Sequence, residues 1–139
     1  MANVLISYAR EDRVTAQTFA TLFQNAGYTV WWDREMYAGQ DINDKLLKEV
    51  ALAAAVIVLW SPYSVESKWV RGEARLAAEF AKLMPIAISP CNIPIEFTGY
   101  NTVELFGQDA DSQIQNLFKL IAVKVKYYPE DAGDDIWNP

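Results

Sequence analysis

Residues 55–60, AVIVLW, are apolar at every position. A strand with one solvated face alternates apolar and polar residues, because successive side chains point to opposite sides of the sheet. An unbroken apolar run, closed by the turn-forming SPYS, is what a strand needs when helices cover both of its faces. That coverage belongs to the interior of a parallel sheet, so this segment predicts an α/β fold with residues 55–60 as its central strand.

The rest of the chain alternates in the same sense. VLIS at 4–7 predicts a first strand, followed by the polar YARED and a helix from Asp12 to Ala26 that turns Phe19, Leu22, Phe23 and Ala26 inward. Gly27 suits the position just past that helix. YTVWW at 28–32 is β-branched and aromatic, DREMYAGQD at 33–41 is a polar loop, and Asp41 is placed to cap a helix burying Ile42, Leu46, Leu47, Val50 and either Leu52 or Ala53. After the central strand come the turn SPYSVES, a helix containing Glu73, a strand MPIAI at 84–88, a loop SPCNIPIEFTGY and a last strand NTVEL at 101–105. A final helix over 111–126 presents Ile114, Leu117, Phe118, Ile121 and Val125 at helical spacing. Five such units build a parallel sheet with right-handed crossovers and helices on both faces. Ligands of such sheets sit beyond the carboxyl ends of the strands, where loops 7–11, 33–40 and 61–67 converge.

Composition narrows the chemistry. The 139 residues suffice for one domain with a real core. Most of the net charge of −6 comes from Glu130, Asp131, Asp134 and Asp135, leaving the body nearly balanced and without the basic stripe that nucleic acid requires. The single cysteine, Cys91, excludes an internal disulfide and points to a reducing, cytoplasmic setting. No basic segment followed by a long apolar run opens the chain, and its longest apolar run, 50–60, is too short to span a membrane. The complete absence of histidine removes Ser-His-Asp and Cys-His catalysis and His-ligated zinc. Catalysis, if any, rests on carboxylates, hydroxyls, Lys, Tyr or the backbone.

One carboxylate is out of place. On a helical wheel Trp69, Leu76, Ala77 and Phe80 share an arc opposite Lys68, Arg71, Arg75, Glu79 and Lys82, and Glu73 falls with the apolar group. Glu73 is either a carboxylate satisfied by nearby backbone or arginine, or a functional group beside an aromatic surface, Trp69, that suits a flat, electron-poor or sugar-linked ligand. Arg10, Glu11, Asp12 and Arg13 form a charge-dense turn that is either a solvated, helix-capping loop or a ligand contact. Tyr8 either covers the core edge or meets a ligand. Of the tandem tryptophans, Trp31 is expected in the core, and Trp32 with Asp33 is nearer a ligand or a neighbouring subunit. The lone Gly39 is no phosphate-binding signature, since neither GxGxxG nor GxxxxGK[ST] occurs.

In succession, ISYAREDR at 6–13, GYTVWWDREMYAGQDI at 27–42, VIVLWSPYSVESKWVRGEA at 56–74 and PIEFTGYNTVEL at 94–105 resemble a bacterial-type TIR (Toll/interleukin-1 receptor) domain of the NAD-cleaving branch. The resemblance covers residues 1–126 and leaves 127–139 as an acidic C-terminal tail or linker. It implies a flavodoxin-like sheet of five parallel strands, helices on both faces, and self-association through TIR–TIR contacts. It also implies that NAD+ is a substrate rather than a cofactor, that no metal is needed, and that Glu73 of the WxxxE pattern is the catalytic residue. Tyr8, Ala9, Arg10, Trp32, Asp33, Ser67 and Trp69 become the expected substrate-binding residues, and Arg34, Met36, Tyr37 and Gly39 the gating and self-association loop. The expected activity is cleavage of the nicotinamide–ribose bond, to ADP-ribose or a cyclic isomer, switched on by assembly in an immune or defence pathway under a fused or separate sensor or effector. The gating loop lacks a proline before its glycine, no aspartate precedes ISY, and the third motif is only LFG at 105–107, which points away from a Toll-type adaptor. The other expectations to weigh are a noncatalytic interaction module and a nucleoside deoxyribosyltransferase-like enzyme.

Overall fold

A computed structural model describes residues 3–33, 42–107 and 110–127. Strands β1 (Val4–Ser7), β2 (Val30–Trp31), β3 (Ala55–Trp60), β4 (Leu83–Ala87) and β5 (Val103–Glu104) alternate with helices α1 (Arg13–Asn25), α2 (Ile42–Leu52), α3 (Lys68–Glu79) and α4 (Ala110–Tyr127), except that β4 and β5 are joined without an α-helix. The sheet is parallel throughout, in the order β2-β1-β3-β4-β5. The flavodoxin-like expectation holds, and β3, buried at all of its positions, is the central strand. β4 lies one residue earlier than expected. β2 and β5 are two-residue strands, shorter than the expected 28–32 and 101–105, and each is an edge paired on one side only.

Period-two alternation divides the core. Leu5 of β1 and Val56, Val58 and Trp60 of β3 pack with Leu46 and Val50 of α2 and Val70, Ala74 and Ala77 of α3. Val4 and Ile6 of β1 and Ile57 and Leu59 of β3 pack on the other side with Ala16, Phe19, Ala20 and Phe23 of α1 and Leu117 and Ile121 of α4. Ile57 and Leu59 are wholly buried, and burial of each stabilises the fold by roughly 1.5–3 kcal/mol.

The buried stripes of the helices are rotated from the wheel expectation. In α1, Ala16 and Ala20 join Phe19 and Phe23 at the sheet, while Leu22 and Ala26 face out. In α2, Leu46, Val50 and the following Ala53 are buried, and Leu47 and Leu52 are exposed. In α3 the stripe is Val70, Glu73, Ala74 and Ala77; Trp69 and Phe80, expected inside, are 44% and 36% exposed. Small residues lie against the sheet because they let the helix backbone approach it, which displaces the large side chains to the margins.

Lys82 departs most from expectation. The helical wheel places it on the solvated arc, and it is 1% exposed. Helix α3 ends in a Schellman turn, with Ala81 N–H on Ala78 O at 3.0 Å and Lys82 N–H on Ala77 O at 2.9 Å, and Ala81 adopts a left-handed φ of 58°. The turn folds Lys82 back, and its Nζ donates to Val50 O at 3.0 Å and Ala51 O at 2.6 Å, the last carbonyls of α2. Gly27 occupies the corresponding left-handed position after α1, as the sequence predicts. Helix α4 continues to Tyr127, and the remainder of the expected tail lies outside the described residues.

Candidate functional site

The strand order reverses between β1 and β3, and a cavity of about 770 Å³ opens there, beyond the carboxyl ends of the strands. Three connections build it: Tyr8, Ala9, Arg10, Glu11 and Arg13 after β1, Trp32 after β2, and Tyr63, Glu66, Ser67 and Trp69 after β3. Loops 7–11 and 61–67 meet there as expected, and of the third, 33–40, residues 34–40 lie outside the described residues.

Each wall has a local cause. Tyr8 and Trp32 pack their bodies on the α1/α4 side of the core with ring centroids 6.1 Å apart, so Tyr8 covers the core edge and lines the cavity at once. Arg13 holds that pair in place. Its guanidinium grips Asp33 through bonds of 2.9 and 3.2 Å, reaches Tyr8 Oη at 3.4 Å and lies 5.2 Å from the centre of the Trp32 ring. Asp33 therefore serves the wall through Arg13 and does not itself line the cavity. The facing wall begins at Ser67, whose hydroxyl accepts from Val70 N–H at 3.2 Å and so caps α3. Trp69 and Tyr63, 44% and 55% exposed, complete it. Aromatic surfaces on both sides, with Arg10, Arg13, Glu11 and Glu66 around them, suit a flat ligand that carries both apolar faces and charge.

The turn after β1 is only in part the solvated loop its charges allowed, with Arg10 and Glu11 exposed. Asp12 is buried, makes no capping bond to α1, and accepts a short hydrogen bond from Ser61 Oγ just past β3. Ser61 Oγ also receives Ser64 N–H at 3.1 Å, and Ser64 Oγ donates to Leu59 O at 2.7 Å. This network ties the exits of β1 and β3 together behind the residues that line the cavity. Burial pushes the Asp12 carboxyl above its ordinary value, the Ser61 bond opposes that, and nearby Glu11 adds to it. Burial, with the charge of Asp12, likewise raises the Cys91 thiol. The bond between Asp12 and Ser61 is not legible in the sequence, because an acid in a charge-dense turn and a serine before Pro-Tyr-Ser both read as loop chemistry.

Glu73 points inward and is 3% exposed. Its Oε1 accepts from Ser7 Oγ at 2.7 Å, a bond between the last residue of β1 and the middle of α3. It is one helical turn from Trp69 and bonded to the residue preceding Tyr8, yet it is set back and is not itself part of the cavity lining. Tyr8, Ala9, Arg10, Trp32, Ser67 and Trp69 thus meet at the cavity, with Glu73 and Asp33 behind them. Arg34, Met36, Tyr37 and Gly39 lie outside the described residues.

Comparisons with known proteins agree with this architecture. The TIR domain of the Toll-related receptor TRR-2 from Hydra magnipapillata superposes with a TM-score of 0.80 at 20% identity, covering 88% of this chain and 99% of that one. A metazoan TIR-STING receptor from C. gigas, in complex with 2′,3′-cGAMP, gives 0.69 at 22% identity, covering 83% of this chain and 39% of the receptor. The TIR domains of the activated Roq1 resistosome give 0.67 at 15% identity, over 87% of this chain and 99% of theirs. At such identities the likeness is one of fold. No curated protein sequence matches the chain. A family model described as the TIR domain matches residues 4–120, which takes in the sheet, the loops that line the cavity and the Ser7–Glu73 pair, and the chain belongs to the TIR domain family.

Proposed function

We propose that the chain is an NAD+ glycohydrolase or ADP-ribosyl cyclase, with Glu73 as its catalytic carboxylate and assembly as its switch. The observation that carries this reading is the buried Glu73 carboxylate, bonded to Ser7 at the switch point of the sheet and one turn from the aromatic cavity. A carboxylate is costly to bury, and a fold retains one more readily where it does work.

The chemistry needs no histidine. As the C1′–N bond breaks, its electron pair neutralises the pyridinium, so nicotinamide leaves without a proton and positive charge develops on the ribose. A carboxylate in a water-poor site stabilises that oxocarbenium-like charge and holds the ribose hydroxyls. Attack by water at C1′ with loss of its proton gives ADP-ribose; attack by another part of the nucleotide gives a cyclic isomer. Tyr8, Trp32, Tyr63 and Trp69 offer faces for the adenine and nicotinamide rings, and Arg10 offers charge for the diphosphate. NAD+ is consumed, so it is a substrate, and no metal or further cofactor enters.

Glu73 stands behind the cavity lining, so the isolated chain is the weakly active form, and contact between copies brings ribose and carboxylate together. TIR domains occur in the Roq1 resistosome, and the same tendency to assemble is proposed here, in a defence role within the cytoplasm and with residues 127–139 as tail or linker. Among the described residues no helix is long and apolar enough to cross a membrane.

The test is nicotinamide release by wild type and Glu73→Ala across a series of protein concentrations. The proposal expects release that rises more than linearly with concentration and a loss of about 10³-fold in the variant, the scale of removing a transition-state electrostatic group. The exposed Trp69 and Tyr63 at the rim, with Glu73 set back, favour a second reading as a noncatalytic interaction module. Intact NAD+ at high protein concentration would decide for that module, and nucleobase exchange without NAD+ loss would decide for a deoxyribosyltransferase.

A further inference from the structure

We infer that Ser7 is a positioning residue for Glu73, a role that rests on the reading of Glu73 as the catalytic carboxylate. Alternation along β1 sends Leu5 to the α2/α3 side of the sheet and Val4 and Ile6 to the other. Ser7 is therefore on the Leu5 side, where the pattern calls for another apolar residue. It is 1% exposed, and a hydroxyl buried there lowers stability unless it is bonded. Its Oγ donates to Glu73 Oε1 at 2.7 Å, a charge-assisted bond between two buried side chains 66 positions apart.

The donor is rigidly placed. Ser7 is held in register with Val58 of the central strand, while the pairing of β1 with β2 reaches only Leu5. The acceptor is not rigid by itself, because the last torsion of a glutamate is broad and its carboxylate turns easily. A fixed hydroxyl on one oxygen sets the plane of that carboxylate relative to the cavity beside Tyr8, Ala9 and Trp69. The sheet thereby orients a group carried by a helix, a supporting contact of the kind that preorganised sites depend on.

A positioning role affects the transition state more than ground-state binding. Ser7 does not line the cavity, so its loss leaves the ring-binding walls intact. Ser7→Ala should lower kcat for nicotinamide release by about 10- to 100-fold, the equivalent of one hydrogen bond to a charged group, with KM for NAD+ changed by less than about 2-fold. Ser7→Thr, which keeps the hydroxyl on a strand that favours β-branched residues, should recover most of kcat.

The experiment measures kcat, KM and the thermal midpoint of wild type, Ser7→Ala, Ser7→Thr and Glu73→Gln at one high protein concentration. A kcat loss in Ser7→Ala with KM held and recovery in Ser7→Thr supports the inference. An active wild type silenced by Glu73→Gln, with kcat unmoved in Ser7→Ala, overturns the role of Ser7 and leaves that of Glu73 standing. A loss in Ser7→Ala that appears in KM, or that tracks a fallen midpoint without recovery in Ser7→Thr, also overturns it. An inert wild type sinks the reading of Glu73 and takes the positioning role with it.

Discussion

Two charges are buried along the α3 segment, one toward each edge of the sheet, and they are held in different ways. Near the amino edge, Lys82 spends its ammonium on Val50 O and Ala51 O, the end of α2, where orphan carbonyls and the helix dipole both favour a cation. Near the carboxyl edge, Glu73 meets the hydroxyl of Ser7 and stands beside a cavity. Lys82 is explained by the fold alone, because it completes a helix end. Glu73 completes none: α3 is capped by Ser67, and what Glu73 satisfies is the buried hydroxyl of Ser7, a polar pair that two apolar residues could replace. Burial of a charge is therefore not by itself a sign of function; what matters is whether the partner is something the fold needed anyway.

The sharpest way to break this contrast is to exchange the two roles by mutation. Lys82→Met should destabilise the chain by about 3 kcal/mol, because it leaves buried carbonyls without their donor, while activity per folded molecule stays near wild type. Glu73→Gln should do the reverse, with stability within about 1 kcal/mol because the amide oxygen still accepts from Ser7, and turnover abolished. Urea unfolding alongside nicotinamide release reads both. A stable Lys82→Met protein, or a Glu73→Gln protein that unfolds, would erase the distinction.

A smaller effect sharpens the amino edge. Ala81 carries the left-handed φ of 58° that folds Lys82 back onto α2, a conformation costing an L-residue roughly 1–2 kcal/mol and a glycine almost nothing. Ala81→Gly should therefore stabilise the chain by about 0.5–1 kcal/mol after the greater freedom of glycine in the unfolded chain is deducted. An unchanged or lowered urea midpoint would mean that the turn is not the strained element it is taken to be.

How much of this was legible follows the range of the interactions. The parallel sheet could be read from AVIVLW alone, because burial on both faces leaves no room for polar alternation. Gly27 as a helix stop was legible for the same local reason. Lys82 was not, because its placement depends on a left-handed alanine, and alanine carries no sequence signal for that conformation. The rotation of α1 and α3 was missed where alanines outcompeted Leu22, Trp69 and Phe80 for the sheet, a choice made by backbone approach rather than hydrophobicity. Glu73 was found from its own helix, but its partner Ser7 is 66 residues away, and only the pairing of β1 with β3 brings them together. The Arg13–Asp33 grip was hidden in the same way.

The smallest expected effect probes the carboxyl edge by pH. Lys82 sits where its charge is favoured, whereas Asp12 sits where burial disfavours its charge and raises its pKa above 3.8, with the Ser61 hydroxyl opposing and Glu11 adding to the rise. A carboxyl whose folded pKa is raised binds more protons folded than unfolded, so its contribution to stability is present below 3.8 and is lost as pH rises through the folded value. Asp12→Asn removes that loss while its amide oxygen still accepts from Ser61. The stability difference, variant minus wild type, should thus grow more positive as pH rises above 3.8 and then level off, as read from urea midpoints. A difference that is flat, or that falls with pH, would mean that the Ser61 bond outweighs burial and that the charge at this edge is held as comfortably as Lys82 is at the other.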